Sequence, residues 1–212
     1  MILNINNGSN TVDENFFFQR PGKHLKKEIV FSPRLWDPAR VNGRRKEERI
    51  IMNDERVRFV RALRKNFPNY YSGGIEDTTY ARKLCPDLII SKTETHKSAY
   101  IARLREASIG LSSPGLADSI GWKLAEYVAF SKAIVSNDLD HHVLNTSFLK
   151  GRNYLAYNTD DEMLDGVEKL LSDKSFCFEM MKNNYAFSQC WLLPDKQMRQ
   201  AFERMSIDLN ID

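Results

Sequence analysis

The stretch from Ser112 to Val135, SSPGLADSIGWKLAEYVAFSKAIV, decides the fold that the sequence predicts. It follows an apolar run at residues 107–111 that is typical of a buried strand, and it ends in a second apolar run at residues 133–135. Between the two runs lie a turn rich in Ser, Pro and Gly and a segment with helical spacing. This order predicts a βαβ unit, whose first loop lies where open α/β sheets bind ligands.

The helix of this unit has a face of small residues. Gly121, Ala125 and Ala129 recur every four positions, so they share one side and allow close packing on a sheet. Larger apolar residues widen that side and predict a well-buried helix: Trp122, Leu124, Val128 and Phe130. The hydroxyl of Ser119 is placed to cap the first turn.

Two acids bracket the start of this helix. Asp118 lies in the preceding loop, and Glu126 follows it by eight positions. Free N–H groups at a helix start attract phosphate, whereas carboxylates accept hydrogen bonds from sugar hydroxyls. Together they predict a site for a nucleotide or nucleotide-sugar. The spacing alone equally allows Asp118 to act only on the helix dipole and Glu126 to be solvated.

The rest of the chain alternates between strands and helices. The pattern predicts six strands, at residues 28–32, 70–72, 87–91, 107–111, 133–135 and 153–157. Helices between successive strands predict an α/β fold with a single Rossmann-like, doubly wound, mostly parallel sheet and helices on both faces. We assign this domain to residues 28–190, a lead-in arm to residues 1–27, and a closing helix and tail to residues 191–212.

A basic segment follows the first predicted strand. Arg34 lies in a Pro-bounded loop at the carboxyl end of that strand, where a guanidinium would clamp a pyrophosphate beside the central helix. A surface arginine in a turn is the alternative. Residues 40–49 read as a basic loop that could carry a second phosphate ligand, whereas residues 54–67 read as an amphipathic helix whose basic residues face solvent.

Composition narrows the function classes. The net charge of +3 is too small to argue for nucleic acid, and no apolar run approaches the ~20 residues of a membrane span. The chain lacks the GxGxxG and Walker A sequences, which disfavours dinucleotide dehydrogenases and P-loop ATPases. Three cysteines without metal-ligand spacing, Cys85, Cys177 and Cys190, read as reduced thiols of a cytosolic protein. Adjacent His141 and His142 point different ways, so we expect no metal.

The central unit resembles the donor-binding signature of GT-B glycosyltransferases, in particular the large retaining group 1 family. That signature is an acid, a Gly-containing turn and a Glu eight positions after the acid, here Asp118, Gly121 and Glu126. The phrase Phe31-Ser32-Pro33-Arg34-Leu35 resembles the strand that opens the family's second domain, and residues 153–171 resemble its later strand and helix. The resemblance covers residues 28–205 and implies one half of a GT-B fold.

The resemblance implies roles for these residues. Glu126 would bind the ribose, Arg34 and Asp118 would be the catalytic pair at the phosphates and the transferred sugar, and the adjoining loop and helix start would bind the donor: Gly115, Ser119, Gly121, Trp122 and Lys123. Two departures stand out. The first acid is the shorter Asp, and the lysine that commonly follows the Arg is replaced by Ala39 and Arg40. Arg40 or Lys46 could replace that lysine.

A GT-B enzyme has two such domains, and 212 residues have room for only one. The hypothesis is therefore a donor-binding domain for a nucleotide-diphosphate sugar, active in transfer only when an N-terminal half or another chain supplies the acceptor site. It needs no metal or cofactor and could self-associate. We expect a cytoplasmic location, with a peripheral position at the inner membrane face as an option, and a role in polysaccharide biosynthesis. The alternatives are a regulatory nucleotide-binding domain and an interaction scaffold.

Overall fold

The computed structural model describes residues 19–22, 29–140, 142 and 148–208. Most of the predicted arm at residues 1–27, together with Glu28, His141 and the last four residues, lies outside them. In the described part, five parallel strands form one sheet in the order β2-β1-β3-β4-β5. The strands are β1 Ile29–Phe31, β2 Tyr71–Gly73, β3 Ile109–Leu111, β4 Ala133–Asn137 and β5 Leu155–Tyr157.

Eight helices surround this sheet in the described residues. They are α1 Arg44–Asn66, α2 Thr79–Leu84, α3 Lys92–Thr95, α4 Lys97–Glu106, α5 Trp122–Ala129, α6 Asp160–Ser172, α7 Lys174–Phe187 and α8 Pro194–Asp208. Alternate residues of β1 enter different cores, as the two-residue period of a strand requires. Ile29 and Phe31 pack with α1, α6 and α7, whereas Val30 packs with α4 and α5. The predicted α/β sheet with helices on both faces is confirmed.

The predicted strand at residues 87–91 is reduced to one bridge. Pro86–Leu88 forms a short helical turn, and only Ile89 pairs, in parallel, with Ile75 beyond the end of β2. The guanidinium of Arg64 donates to the carbonyl oxygens of Asp87 and Leu88 at 2.7 and 3.1 Å, and the Leu88 oxygen also accepts from the amide of Ile75 at 2.9 Å. The sheet therefore has five strands, not six.

Helix α1 begins ten residues earlier than predicted. The segment expected to be a basic loop at residues 40–49 is a short turn at Pro38–Arg40 followed by the first turns of α1. Gly43 has a positive φ of 56° where the chain turns into the helix, a conformation that glycine adopts at little cost. Lys46 thus lies on an exposed helical turn.

The order of the strands defines a switch point. Strand β1 is bonded to β2 on one side and to β3 on the other, so the chain reverses its direction across the sheet between β2 and β3. The loops after β1 and β3 then diverge and leave a crevice at the carboxyl ends of the strands, where α/β sheets of this kind bind ligands.

Candidate functional site

One buried side chain, Arg56 of α1, joins the two loops at the switch point. Its guanidinium donates to the carbonyl oxygens of Arg34 and Pro114, both at 2.7 Å, and to Oγ of Ser113 at 3.3 Å. Burial lowers the pKa of Arg56 to about 10, and Glu55 opposes that shift, so the group stays charged at neutral pH. A planar fork of donors fixes all three acceptors at once. The crevice therefore has walls held by a permanent cation.

Arg56 was missed at the sequence level, where the basic residues of this helix were assigned to solvent. The spacing of apolar residues around Arg56 could have identified it as buried. Met52, Arg56, Val60 and Leu63 follow one another at helical intervals, and all four are buried. An arginine within an apolar stripe indicates a cation with fixed partners, because such a group is rarely buried unless it is paired.

Arg34 lies where the sequence placed it, at the carboxyl end of β1 on the same side as the loop after β3. Its side chain is exposed, and its guanidinium lies 4.9 Å from the centre of the Trp36 ring. The preceding Ser32 has a buried hydroxyl, 3% exposed, for which the described residues supply no hydrogen-bond partner. Such a group is unusual in a folded chain.

The loop between β3 and α5 is a tight turn. The amide of Gly115 donates to the carbonyl of Ser119 at 2.7 Å, and a Cβ at Gly115 would lie 2.5 Å from Oγ of Ser119. Ala117 and Asp118 both have positive φ, at 55° and 52°, a conformation that non-glycine residues adopt at a cost. This backbone turns Asp118 away from the regular path of a strand or helix at the mouth of the crevice.

Two expectations for the start of α5 are wrong. Ser119 does not cap the helix, because the capping position belongs to Gly121, which has no side chain to offer. Trp122 is not buried, since 64% of it is exposed at the first residue of the helix. The other apolar residues of the predicted face are buried as expected: Leu124, Ala125, Val128, Ala129 and Phe130. The helix start thus keeps N–H groups that no side-chain cap occupies, as an anion site requires.

Glu126 is held by a partner rather than solvated. It is half-buried, and the phenol of Tyr100 on α4 donates to its Oε2 at 2.6 Å. The ammonium of Lys123 lies 4.9 Å from the centre of the same phenol ring. Burial, with Tyr127 and Glu126 nearby, holds the pKa of Tyr100 well above its usual value, so the phenol keeps its proton. One carboxylate oxygen remains to accept from a ligand hydroxyl.

A hollow of about 810 Å³ opens beside Arg34, over the ends of β1 and β2. Arg34 and Arg40 line it, whereas Lys46 does not. The remaining lining residues are Leu35, Trp36, Asp37, Ala39, Arg49, Asp77, Thr78, Thr79, Tyr80, Arg82, Lys83 and Lys92. Within the part of the chain that the structure describes, no group of three or more His, Cys, Asp and Glu side chains is arranged to hold a metal.

A solved structure has the same architecture. It is the C-terminal domain of a glycosyl transferase group 1 family protein (LpcC) from Francisella tularensis, which superposes with a TM-score of 0.53 at 13% sequence identity. The match covers 84% of this chain and 96% of that domain. This chain has the fold of a GT-B C-terminal domain.

That finding confirms the fold expected from the resemblance, and at this identity it shows the fold alone. No protein-family model matches the chain, and no curated protein does. In the described residues of this GT-B-like domain, none of the helices has both the length and the apolar character to cross a bilayer. The roles of individual residues therefore depend on the geometry of the crevice.

Proposed function

We propose that this chain is the donor-binding domain of a glycosyltransferase and holds a nucleotide-diphosphate sugar in the crevice between the loops after β1 and β3. The observation that carries the proposal is the Arg56 clamp, which joins the Arg34 loop to the Pro114 loop at the switch point.

The diphosphate lies between Arg34 and the start of α5 in this proposal. A guanidinium binds phosphate oxygens through two parallel hydrogen bonds, and the uncapped N–H groups at Trp122 and Lys123 add donors. Arg40 serves as the second phosphate ligand rather than Lys46, because only Arg40 lines the hollow beside Arg34.

The sugar rings are bound by acids. Glu126 accepts from the ribose hydroxyls with the oxygen that Tyr100 leaves available. Asp118, in the turn closed by Gly115 and Ser119, contacts the transferred sugar. In transfer, the oxygen of an acceptor hydroxyl bonds to the sugar carbon while the bond from that carbon to the diphosphate breaks, and the hydroxyl proton passes to the leaving diphosphate. Arg34 with the helix N–H groups stabilises the charge on this leaving group without a metal.

Transfer requires an acceptor, which we assign to another GT-B half, in a longer protein or on another chain, or to a second copy of this chain. The domain alone is then expected to bind the donor without transferring it. We place the protein in the cytoplasm, with a peripheral position at the inner membrane face as an option, and in polysaccharide biosynthesis. None of its three cysteines forms a disulfide bond, which supports a reducing compartment.

Calorimetric titration with nucleoside diphosphates tests the proposal. We expect micromolar to millimolar binding by the intact chain, and we expect Glu126→Ala to weaken it about tenfold or more because the ribose loses its acceptor. Glu168→Ala, an exposed acid on α6, is the matched control and should bind like the wild type.

Absence of binding at millimolar nucleotide by the folded chain would contradict the proposal and favour a scaffold. Binding without transfer of a labelled nucleotide-sugar, when an acceptor-binding half is added, would favour a regulatory domain instead. Equal affinities of Glu126→Ala and the wild type would remove Glu126 from the site.

A further inference from the structure

The hollow over β1 and β2 is separate from most of the donor crevice. Of the residues assigned to the donor, only Arg34 and Arg40 line it, and neither Asp118 nor Glu126 does. Its other walls come from the rest of the loop after β1, from α1, from the loop after β2 with α2, and from Lys92 at the start of α3. At about 810 Å³ it has the size of a small-molecule site.

The lining of this hollow is strongly cationic. Six cationic side chains face two acids, which leaves four positive charges in excess: Arg34, Arg40, Arg49, Arg82, Lys83 and Lys92 against Asp37 and Asp77. Like charges gathered around one cavity raise the local potential and attract anions. Arg34 and Arg40 are also assigned to the donor diphosphate, so Arg49, Arg82, Lys83 and Lys92 are the cations left for a second anion.

Both acids are already engaged. Asp77 is paired with Arg82 through two hydrogen bonds, and Arg82 holds the pKa of that carboxyl below its usual value. Asp37 accepts from the amide of Ala39 at 3.0 Å and lies 3.8 Å from the guanidinium of Arg40. Neither acid therefore neutralises the rest of the hollow.

Apart from the effect of Lys92 in lowering the pKa of Asp77, four cations of the hollow form no salt bridge with a carboxylate among the described residues: Arg34, Arg49, Lys83 and Lys92. Two of them lie against the same indole. The guanidinium carbons of Arg34 and Arg49 are 4.9 and 5.9 Å from the centre of the Trp36 ring. Stacking on an aromatic ring holds guanidinium groups in place. Nη1 of Arg49 already donates to the carbonyl oxygen of Asp37 at 2.7 Å, so its other N–H groups and those of Arg34 are left for phosphate oxygens.

We propose that this hollow binds a second ligand that carries a diphosphate or several phosphate groups, at the same time as the nucleotide. This inference rests on the proposed function, in which the second ligand is a phosphorylated part of the acceptor whose reacting end is bound by the other half or chain. Arg34 lies on the border of both sites, so one cation faces both anions and offsets their repulsion.

Pyrophosphate is the probe that tests this. It is titrated calorimetrically into the full chain, first alone and then after saturation with the nucleoside diphosphate that binds most tightly. We expect one additional pyrophosphate per chain in the second titration. The double variant Lys83→Gln and Lys92→Gln should weaken that binding about tenfold or more and change nucleotide affinity less than about twofold.

The control is Lys65→Gln with Lys174→Gln, which removes the same charge from exposed positions outside the hollow. It should leave both affinities unchanged. If it weakens pyrophosphate binding as much as the hollow variant does, the attraction is non-specific and the inference is wrong.

The remaining outcomes separate this inference from the proposed function. If pyrophosphate competes one-for-one with the nucleotide, the hollow is the donor's own phosphate site, so the inference fails and the proposed function stands. If pyrophosphate binds through Lys83 and Lys92 while no nucleotide binds, the hollow is an anion site and the proposed function fails. If the folded chain binds no pyrophosphate at all, the inference is wrong.

Discussion

Two buried cations lie at opposite ends of the sheet, and burial affects their charge differently. At the carboxyl end, burial lowers the pKa of Arg56 to about 10, so it remains charged at pH 7. At the amino end, burial lowers the pKa of Lys132 to about 7, and its Nζ donates to the carbonyl of Ala107 at 2.7 Å. Desolvation by burial lowers the pKa of both side chains. Because the ordinary pKa of arginine is higher, Arg56 keeps its proton at pH 7, whereas Lys132 loses much of its charge near that pH.

The two buried cations have different roles at the two ends of the sheet. Arg56 satisfies three oxygens on two loops, so it orders the crevice where we place phosphate. Lys132 touches the backbone just before β3 and β4, far along the strands from that crevice. A permanent charge is useful beside an anion, whereas a neutral amine is sufficient as a donor in a packed core.

Replacing Arg56 by Met has the largest expected effect. Three acceptors lose a charged donor, so we expect a loss of about 3 kcal/mol in the free energy of unfolding. We also expect nucleotide affinity to fall about a hundredfold, because the two loops no longer share an anchor. Chemical denaturation and calorimetry measure the two effects, and Arg56→Lys should restore part of each.

Arg64→Met is the matched control for that variant. Arg64 also lies on α1 and also holds backbone carbonyls, those of Asp87 and Leu88, but it lies away from the crevice. It should lower stability while leaving affinity near the wild-type value. Loss of affinity in both variants would mean that Arg56 acts only through stability.

Lys132 should make stability depend on pH. Its pKa is about 7 in the folded chain against 10.5 in the unfolded chain, so between these values the unfolded state binds more protons and the free energy of unfolding rises with pH. Below pH 7 Lys132 is protonated in both the folded and the unfolded state, so its contribution to the free energy of unfolding no longer changes with pH.

The measurement is the difference between the wild type and Lys132→Met in denaturant titrations at pH 7 and pH 9. We expect the wild type to gain about 2 kcal/mol more than the variant over this interval, since one pKa unit corresponds to about 1.4 kcal/mol. If the free energy of unfolding changes equally with pH in the two proteins, the amine of Lys132 is not desolvated. The difference drawn here between Lys132 and Arg56 would then be wrong.

Replacing Tyr100 by Phe has the smallest expected effect. The ring stays in place beside Lys123, but Glu126 loses the donor that positions it. We expect nucleotide affinity to fall about threefold to fivefold, with a change in stability below about 1 kcal/mol. Tyr185→Phe on α7 is the control and should change neither quantity. An unchanged affinity in Tyr100→Phe would mean that the ligand itself orients Glu126.

Much of the fold was predictable because its signals are local. The small-residue face of α5 is buried at Ala125 and Ala129, and Thr159 caps α6 by accepting from the amide of Glu162. The start of α1 and the segment at residues 87–91 were not predictable in this way. In the first, a helix continues through charged residues without an apolar stripe, and in the second, Pro86–Leu88 forms a short helical turn that leaves Ile89 to pair with Ile75.

The candidate site was predicted in part. Arg34 and the loop after β3 do lie at the same end of the sheet, and Glu126 does lie on α5, one helical turn after Trp122. The partners that hold these residues, Arg56 and Tyr100, were not identified. Helical spacing shows which residues share a face, but it does not show which distant oxygen a side chain reaches.

By itself, the sequence determined a parallel α/β sheet, its central βαβ unit, and an acid near the start of the helix that follows β3. It did so because periodicity and turn chemistry act over a few residues. Only the tertiary structure decided how the crevice is closed, since Arg56 bonds residues that are 22, 57 and 58 positions away. It also gathered the cations of the hollow from α1, α2, α3 and the loop after β1, which come together only when the strands pair.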